Sequence, residues 1–226
     1  MRQGWRNVAF IHWPIPPNRL RSLIPDSLKI DTYNGQAWIG MIVFDLESIY
    51  LREIPTFSLT SGFPEINIRT YVTYNGIPGI YFLSIDVNNW ASNRIAKRWY
   101  HLPYQPSIIS IEQKEQFFHF NSIRKKNTHI NSEGSFTPFP GVYYAEKESL
   151  DYWLTERYRL YSLGKNSTIY MADIHHKQWS LQQATSEIKK NKLISELQLG
   201  VNEYQPAMTH FSKGVDTIFW NIKRLS

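Results

Sequence analysis

The pair Asn75-Gly76 constrains the fold of this chain more than any other sequence feature, because it predicts a tight turn between two strands. An Asn-Gly pair flanked by alternating apolar residues is the strongest short-range signal for a β-hairpin with a two-residue loop. Such a loop also fixes the register of the strands, so Tyr74 is expected to lie opposite Ile77. Residues 65–86 are therefore predicted to form an antiparallel hairpin.

One face of this hairpin is predicted to be polar where apolar residues would be expected. Counting outward from the turn, the predicted pairs are Arg69 with Phe82, Asn67 with Ser84, and Glu65 with Asp86. Side chains alternate between the two faces of a strand. The polar face is therefore expected to carry Glu65, Asn67, Arg69, Tyr71, Ser84 and Asp86. The opposite face is expected to carry Ile66, Ile68, Thr70, Val72, Leu83 and Ile85.

The rest of the chain adds many predicted strands and few predicted helices. Alternating stretches predict strands at residues 108–112, 116–123, 168–174, 178–184 and 209–220. A second pair, Asn34-Gly35, predicts another hairpin in which Asp31 opposes Trp38. Helices are predicted at residues 17–24, from Asn88 to residue 102, and from Ser149 to Tyr158, with a polar loop at residues 124–135. This content predicts a mainly β fold whose antiparallel sheet is curled or closed, with helices outside it.

The chain is predicted to form one domain over residues 1–226. Its hydrophobic content of 42% and aromatic content of 15% are enough for one sizeable β-rich core. No linker rich in Pro, Gly or Ser divides the chain, and no break in composition occurs. A single domain is therefore the simplest organisation.

Composition and motifs also argue against several classes of protein. The chain has no cysteine, which rules out disulfides and thiolate catalysis. No signal peptide or membrane span is evident, so a cytoplasmic protein without a membrane partner is expected. The net charge of +6 comes from short, scattered basic groups, so no nucleic-acid partner is expected. The absence of a Gly-rich phosphate loop and of His-x-His spacing predicts no cofactor and no metal.

Several ordered segments resemble the YqjF-like family of bacterial proteins of unknown function. The segments that carry the resemblance are Phe10-Ile11-His12-Trp13, residues 31–40 from Asp31 to Gly40, residues 65–72, residues 79–86, Leu102-Pro103-Tyr104, residues 154–158 and residues 210–220. They extend over nearly the whole chain. This family looks like a branch of the acetoacetate decarboxylase-like superfamily. The resemblance implies a closed or nearly closed antiparallel β-barrel or cone with a ligand cavity and a few peripheral helices.

The resemblance does not imply the chemistry of the decarboxylase. In that enzyme, a strand ending in aspartate leads into a helix and then a Gly-x-Pro-Lys-Lys motif, whose first lysine forms a Schiff base. Here Asp86 ends the corresponding strand, and Tyr104 stands where that lysine would be. A phenol cannot form an imine. The resemblance therefore implies a protein that lacks the nucleophile of that mechanism.

If the polar face lines a barrel, its residue types suit a small organic carboxylate or carbonyl ligand. Glu65 and Asp86 would oppose each other, and one of two such carboxyls should have a raised pKa and could serve as a general acid or base. Arg69 would hold a ligand carboxylate through its bidentate fork. Asn67, Tyr71, Ser84 and Tyr104 would donate hydrogen bonds, and Phe82 would supply apolar contact.

The residues leave other interpretations open. An enzyme could use Glu65 or Asp86 for proton transfer and Tyr104 or Arg69 as the oxyanion donor. A protein-interaction module could instead use an exposed aromatic surface. The polar face could also be solvated, or Glu65, Arg69 and Asp86 could form a buried structural ion network. The aromatic content is compatible with a homo-oligomer, although nothing in the sequence specifies one.

Overall fold

A computed structural model describes residues 1–51, 54–58, 62–88 and 101–225. Within these ranges the strands are β1 Arg2–Ile15, β2 Lys29–Ile30, β3 Ala37–Leu51, β4 Ile54–Ser58, β5 Phe63–Tyr74, β6 Ile77–Val87, β7 Tyr104–Lys114, β8 Phe117–Arg124, β9 Asn131–Pro138, β10 Tyr143–Tyr144, β11 Arg159–Leu163, β12 Ile169–His175, β13 Ser180–Asn191, β14 Met208–Phe219 and β15 Lys223–Arg224. The α-helices in the same ranges are α1 Pro17–Leu20, α2 Leu150–Thr155 and α3 Lys192–Ser195, with 3₁₀ turns at Arg21–Leu23 and Lys165–Ser167.

The strands form one sheet that closes on itself. Around the sheet, the hydrogen-bonded order of the strands is β1, β3, β5, β6, β7, β8, β9, β13 and β14. Strand β14 pairs with β1 and so closes the ring. Strands β11 and β12 add a second connection, because β11 pairs with β6 and β12 pairs with β14. The predicted mainly β, closed architecture with few helices is confirmed. The ring is not an even antiparallel barrel, however, because β6 runs parallel to both β7 and β11.

Three central stretches, residues 8–13 of β1, 37–44 of β3 and 65–72 of β5, are buried on both faces and separate two hydrophobic cores. We call these core A and core B. Core A includes Ala9, Ile11, Trp13, Met41, Ile66, Ile68, Val72, Phe118, Phe120 and Phe136. Core B includes Val8, Phe10, Ile42, Phe44, Tyr71, Ile85, Val87, Leu154, Leu160 and Trp179. A polar side chain on these buried stretches therefore faces a protein interior whichever way it points.

The predicted register of the β5–β6 hairpin is correct near the turn and wrong beyond it. Tyr74 pairs with Ile77, and Arg69 pairs with Phe82. Between Ile68 and Arg69 the register shifts, because β6 contributes one extra residue, Leu83, at a β-bulge. The observed pairs further along are Asn67 with Ile85, Ile66 with Asp86, and Glu65 with Val87. Ser84 and Asp86 therefore lie on the core A side, away from Glu65 and Asn67, and Ile85 lies on the core B side.

Other sequence predictions were confirmed only in part. Asn34 and Gly35 form a turn, but Asp31 does not oppose Trp38, because its amide donates to the Tyr71 carbonyl at 3.0 Å. The Ser149 hydroxyl caps α2 as predicted, but the helix ends at Thr155, before Tyr158. Strand β9 takes up part of the predicted loop at residues 124–135. Most of the helix predicted after Asn88 lies outside the described residues.

No helix in the described part of the chain combines the length and the apolar character that a membrane crossing would need.

Candidate functional site

The candidate site lies on the core B side of β5, where one row of residues crosses four strands. His12 on β1 pairs with Gly40 on β3, Gly40 pairs with Arg69 on β5, and Arg69 pairs with Phe82 on β6. A Cβ atom on Gly40 would lie 3.0 Å from two atoms of the His12 ring. The missing side chain thus makes room for the imidazole. It also leaves the space between His12 and Arg69 without an intervening side chain.

Two neighbouring rows complete the site. The first row consists of Ile42 on β3, Asn67 on β5, Ile85 on β6 and Tyr104 on β7. In the second, Phe44, Glu65 and Val87 lie side by side. Strand β5 pairs with β3 without a register shift along this stretch, so its odd-numbered residues share one face. We use the term polar face for Glu65, Asn67, Arg69 and Tyr71 on β5 together with His12 on β1.

Arg69 is a buried cation without an anionic partner in the part of the chain that the structure describes. Only 7% of its surface is exposed. One terminal nitrogen donates to the Leu154 carbonyl at 3.2 Å, and the guanidinium lies over the Phe10 and Tyr71 rings, 5.7 and 5.8 Å from their centroids. Its Nε has no hydrogen-bond partner among the described residues, and none of their carboxylates lies within 4.0 Å of the guanidinium. An unpaired buried charge is costly, so this position favours an anion.

His12 and Tyr71 form a hydrogen-bonded chain next to Arg69. The Tyr71 hydroxyl donates to the Leu154 carbonyl at 2.8 Å, and His12 Nε2 lies 2.8 Å from the Tyr71 oxygen. Because the hydroxyl proton is already used, Nε2 must carry the imidazole proton, which leaves Nδ1 as a buried acceptor. Burial lowers the pKa of His12 well below its usual value, and Arg69 and His210 lower it further. His12 is therefore neutral at physiological pH.

Glu65 is the acidic group of the polar face. Its Oε1 accepts a hydrogen bond from the Asn67 amide at 3.1 Å, and only 7% of the residue is exposed. Burial raises the pKa of Glu65 to about 7, while the Asn67 bond lowers it and the charge of Asp86 raises it. The Asn67 Oδ1 has no partner within the described ranges. Glu65 can therefore gain or lose a proton near neutral pH.

The raised pKa of Glu65 predicts a measurable pH dependence of stability. Its folded-state pKa of about 7 lies above the ordinary 4.5, so its contribution to stability is complete below the ordinary value and is lost as the pH rises through the folded value. We expect the free energy of unfolding of the wild type, relative to Glu65→Gln, to fall by about 3 kcal/mol over this range. Urea denaturation of both proteins at a series of pH values measures the difference. Parallel curves would contradict the assignment.

Asp86 and Ser84 do not join this site. Asp86 is fully buried on the core A side, where Arg124 donates to both carboxylate oxygens at 2.9 and 2.8 Å and Ser107 donates at 2.7 Å. The predicted Glu65–Asp86 pair is wrong, and so is the alternative in which Glu65, Arg69 and Asp86 form one ion network. Ser84 lies beside Ile68, on the same side as Asp86. The bulge at Leu83 is the physical reason for each of these differences.

The segment after α2 covers the polar face and supplies residues that sequence reasoning missed. Arg157 donates to Asp31 at 2.7 Å, and its guanidinium lies 5.0 Å from the Tyr71 ring centroid and 4.3 Å from that of Trp153. Glu156 accepts from the Trp179 amide at 2.9 Å and also from Tyr158. From the sequence, positions 156 and 157 are most simply an exposed charge pair, with a bracing role for Arg157 as the alternative. Both residues are buried. Only their position beside the apolar Leu154 could have signalled this.

A second buried histidine borders the same region. His210 on β14 pairs with Phe10 on β1, which puts it diagonal to His12 on the core B side. Its Nε2 lies 3.3 Å from Asp151, whose pKa is lowered chiefly by this histidine. Asp151 also accepts from Tyr143 at 2.7 Å. Within the part of the chain that the structure describes, no group of three or more His, Asp or Glu side chains is placed to hold a metal ion.

Comparisons with known sequences point to one family. The model of the DUF2071 family, described as an uncharacterized conserved protein, matches residues 2–216. The chain is also 41% identical to the uncharacterized protein YqjF of Bacillus subtilis (strain 168), over all of this chain and 93% of that protein.

Solved structures show the same fold at low sequence identity. The acetoacetate decarboxylase of Legionella pneumophila subsp. pneumophila str. Philadelphia 1 matches with a TM-score of 0.68 and 13% identity, over 100% of this chain and 87% of that one. An acetoacetate decarboxylase-like enzyme from Sphingomonas wittichii RW1 matches with a TM-score of 0.66 and 12% identity, over 100% and 92% of the two chains. The enduracididine biosynthesis enzyme MppR, complexed with pyruvate, matches with a TM-score of 0.64 and 10% identity, over 100% and 90%.

Proposed function

The chain belongs to the DUF2071 family and has an acetoacetate decarboxylase-like fold, and from this premise we propose that it binds a small organic carboxylate or carbonyl compound at the polar face. Arg69 holds the carboxylate, and Asn67 and Tyr71 lie on either side of it on the same strand. Phe82 and the core B side chains provide apolar contact. Tyr104, in the row of Asn67, is a further hydrogen-bonding group of the proposed site.

The observation that carries this proposal is the unpaired guanidinium of Arg69. A buried arginine in a folded protein normally has a carboxylate partner, and the polar face offers none among the described residues. Glu65, four residues away on the strand, bonds to Asn67 instead. A ligand carboxylate would supply the missing charge and would match the planar fork of the guanidinium.

Neighbouring groups add to the positive potential at this position. The guanidinium of Arg157 lies over the same Tyr71 ring, and Asp31 is its one ion-pair partner among the described residues. Among the described residues, the two buried arginines therefore have one carboxylate partner between them, and it belongs to Arg157. The nearby carbonyl of Leu154, at the end of α2, accepts from both Arg69 and Tyr71 and holds these two side chains in place. This excess of positive charge supports an anionic ligand.

The structural neighbours support the same ligand class. MppR, which shares this fold, has been solved in complex with pyruvate, a small carboxylate with a carbonyl group. Tyr104 stands where the resemblance to the decarboxylase implies the Schiff-base lysine, so the proposal includes no imine chemistry. A cytoplasmic location is also part of the proposal.

Calorimetric titration with matched pairs of acids and amides tests the proposal. The pairs are pyruvate with pyruvamide, butyrate with butyramide, and benzoate with benzamide. We expect at least one acid to bind about ten- to a hundredfold more tightly than its amide, because a hydrogen bond to a charged group is worth about 1.5–3 kcal/mol. This preference should disappear in Arg69→Met, whose side chain fills a similar volume without charge.

A second arginine provides the control for this titration. Arg159 on β11 is paired with Asp173 at 2.7 Å and is partly exposed, so Arg159→Met should keep the preference for acids. Arg69→Met should remain folded, because Tyr71 still donates to the Leu154 carbonyl. Equal preference for acids in wild type and Arg69→Met would refute the role of Arg69.

An enzyme is the second candidate, because Glu65 has a pKa of about 7 beside the proposed carboxylate site. Its proton could be transferred to or from the carbon next to a ligand carbonyl. The Glu65→Gln variant separates the two functions. If Glu65 is catalytic, the wild type converts the ligand, and Glu65→Gln abolishes this turnover while the affinity for the ligand stays nearly intact. If the protein only binds the ligand, neither the wild type nor Glu65→Gln forms product.

A further inference from the structure

Strand β6 changes its neighbour partway along one edge, and this leaves a gap in the sheet. Near its beginning, Ile80 and Tyr81 pair with Leu160 and Tyr161 of β11. From Ile85 onward, the same edge pairs with β7. Residues 82–84 lie between these two parallel neighbours.

A cavity of about 290 Å³ occupies this gap. We call it the fork cavity. Its described lining comes from Tyr81, Phe82 and Leu83 on β6, from residues 101–103, from residues 161–163, and from Leu23 and Leu197. The bulged residue Leu83 is part of the lining, so the same irregularity that shifts the hairpin register also shapes the cavity. Its volume is close to the lower end of the range for small-molecule sites.

The chemistry of the fork cavity differs from that of the polar face. Leucine, aromatic and proline side chains make up most of its described lining, and no Lys, Arg, Asp or Glu is among these lining residues. The polar groups are few. Ser162 borders the cavity, but it lies on the same side of β11 as Leu160 of core B, so its buried hydroxyl lies away from Tyr161 and Leu163. His101 lies at the edge, with its ring 4.6 Å from that of Tyr170.

We infer that the fork cavity is a second binding site, which takes a small, uncharged, largely apolar molecule with one hydrogen-bonding group. An ion would find no opposite charge in the described lining. An apolar molecule would bury the leucine and aromatic surfaces. The ring nitrogens of His101, at the edge of the cavity, would satisfy one polar group. This inference does not depend on the proposed carboxylate site.

The geometry of the two sites also distinguishes their roles. Phe82 pairs with Arg69 and lines the fork cavity, so this one residue lies between the two. Tyr81 and Leu83 pack against core A, whereas the polar face belongs to core B. A molecule in the fork cavity therefore does not contact Arg69, and it needs no charge to bind there.

Indole is the probe that tests this inference, because it is uncharged and aromatic and carries one N–H group. Ligand-observed saturation-transfer NMR should detect indole on the wild-type protein. Leu163→Trp enlarges a lining side chain at the exposed end of β11, and we expect it to weaken indole binding by at least about tenfold. Leu197→Trp blocks the cavity from another wall, and provides a second test if the first variant does not fold.

Two controls define the outcome. Ile108→Trp introduces the same residue on β7 at a position that is 63% exposed and outside the cavity, so it should bind indole as the wild type does. Arg69→Met should also bind indole normally, whether or not the carboxylate proposal holds. Indole binding that persists in folded Leu163→Trp and Leu197→Trp proteins, or no binding to the wild type at millimolar probe, would overturn the inference.

Discussion

Replacing Arg124 with leucine is expected to lower the free energy of unfolding by about 3–5 kcal/mol, because it leaves a buried carboxylate without its counter-ion. Asp86 is fully buried and accepts two hydrogen bonds from Arg124, which is itself only 16% exposed. After the substitution, Ser107 would be the one remaining donor to Asp86 among the described residues. The ion pair connects the end of β6 to β8, so the loss should appear as a lower midpoint of cooperative urea denaturation.

A surface ion pair gives the matched control for Arg124. Lys190 and Glu133 are 2.8 Å apart, and the lysine side chain is 61% exposed. Exposed pairs of this kind contribute about 0–1 kcal/mol, so Lys190→Leu should change stability little. If Arg124→Leu and Lys190→Leu had similar small effects, the structural role of Asp86 would be wrong.

Gly214→Ala should lower the free energy of unfolding by a comparable amount, about 3–5 kcal/mol, because two unfavourable effects combine at this position. Gly214 has a φ of +131°, a region that side chains rarely adopt, and an added Cβ would lie 2.0 Å from the Trp5 carbonyl oxygen. The residue pairs with Arg6, next to the register shift in β1 between Arg6 and Ala9. That shift sets which face of β1 presents His12 to core B. Thermal unfolding followed by circular dichroism measures the loss.

Gly76→Ala is the control for Gly214. Gly76 also has a positive φ, +77°, but no atom lies within 4 Å of the position that a Cβ would take. Alanine there should cost only the backbone strain, about 1–2 kcal/mol. A loss for Gly214→Ala no greater than this would mean that β1 and β14 adjust freely around the added methyl group.

The sequence predicts the β5–β6 hairpin well only as far as the local rules extend. The Asn75-Gly76 turn determines the pairing from Tyr74–Ile77 to Arg69–Phe82, because each pair follows from the last. The bulge at Leu83 shifts the register beyond this point, and no residue type near Leu83 indicates that β6 contains an extra residue there. Bulges arise from the way a strand must bend to meet its other neighbours, here β7 and β11. Glu65, Asn67, Arg69 and Tyr71 were therefore placed correctly on one face, whereas Ser84 and Asp86 were not.

The rest of the candidate site depends on contacts between distant parts of the chain. His12 meets Tyr71 across 59 positions, and Arg157 meets Asp31 across 126. From the sequence, His12 is most simply a packing residue, because one histidine in an apolar strand carries no signal of its partner. The pairing of Arg69 with the Leu154 carbonyl could not be predicted either, since a backbone acceptor has no sequence signature. Only the pairing of β1, β3 and β5 and the packing of residues 154–157 against them bring these groups together.

Native mass spectrometry of the purified protein, followed by denaturing extraction of whatever co-purifies, tests the central claim most directly. We predict that the wild type carries a small carboxylate that is lost from Arg69→Met and retained by Arg159→Met. Arg69→Met that carries the same compound at the same occupancy as the wild type would contradict the claim that Arg69 holds the ligand.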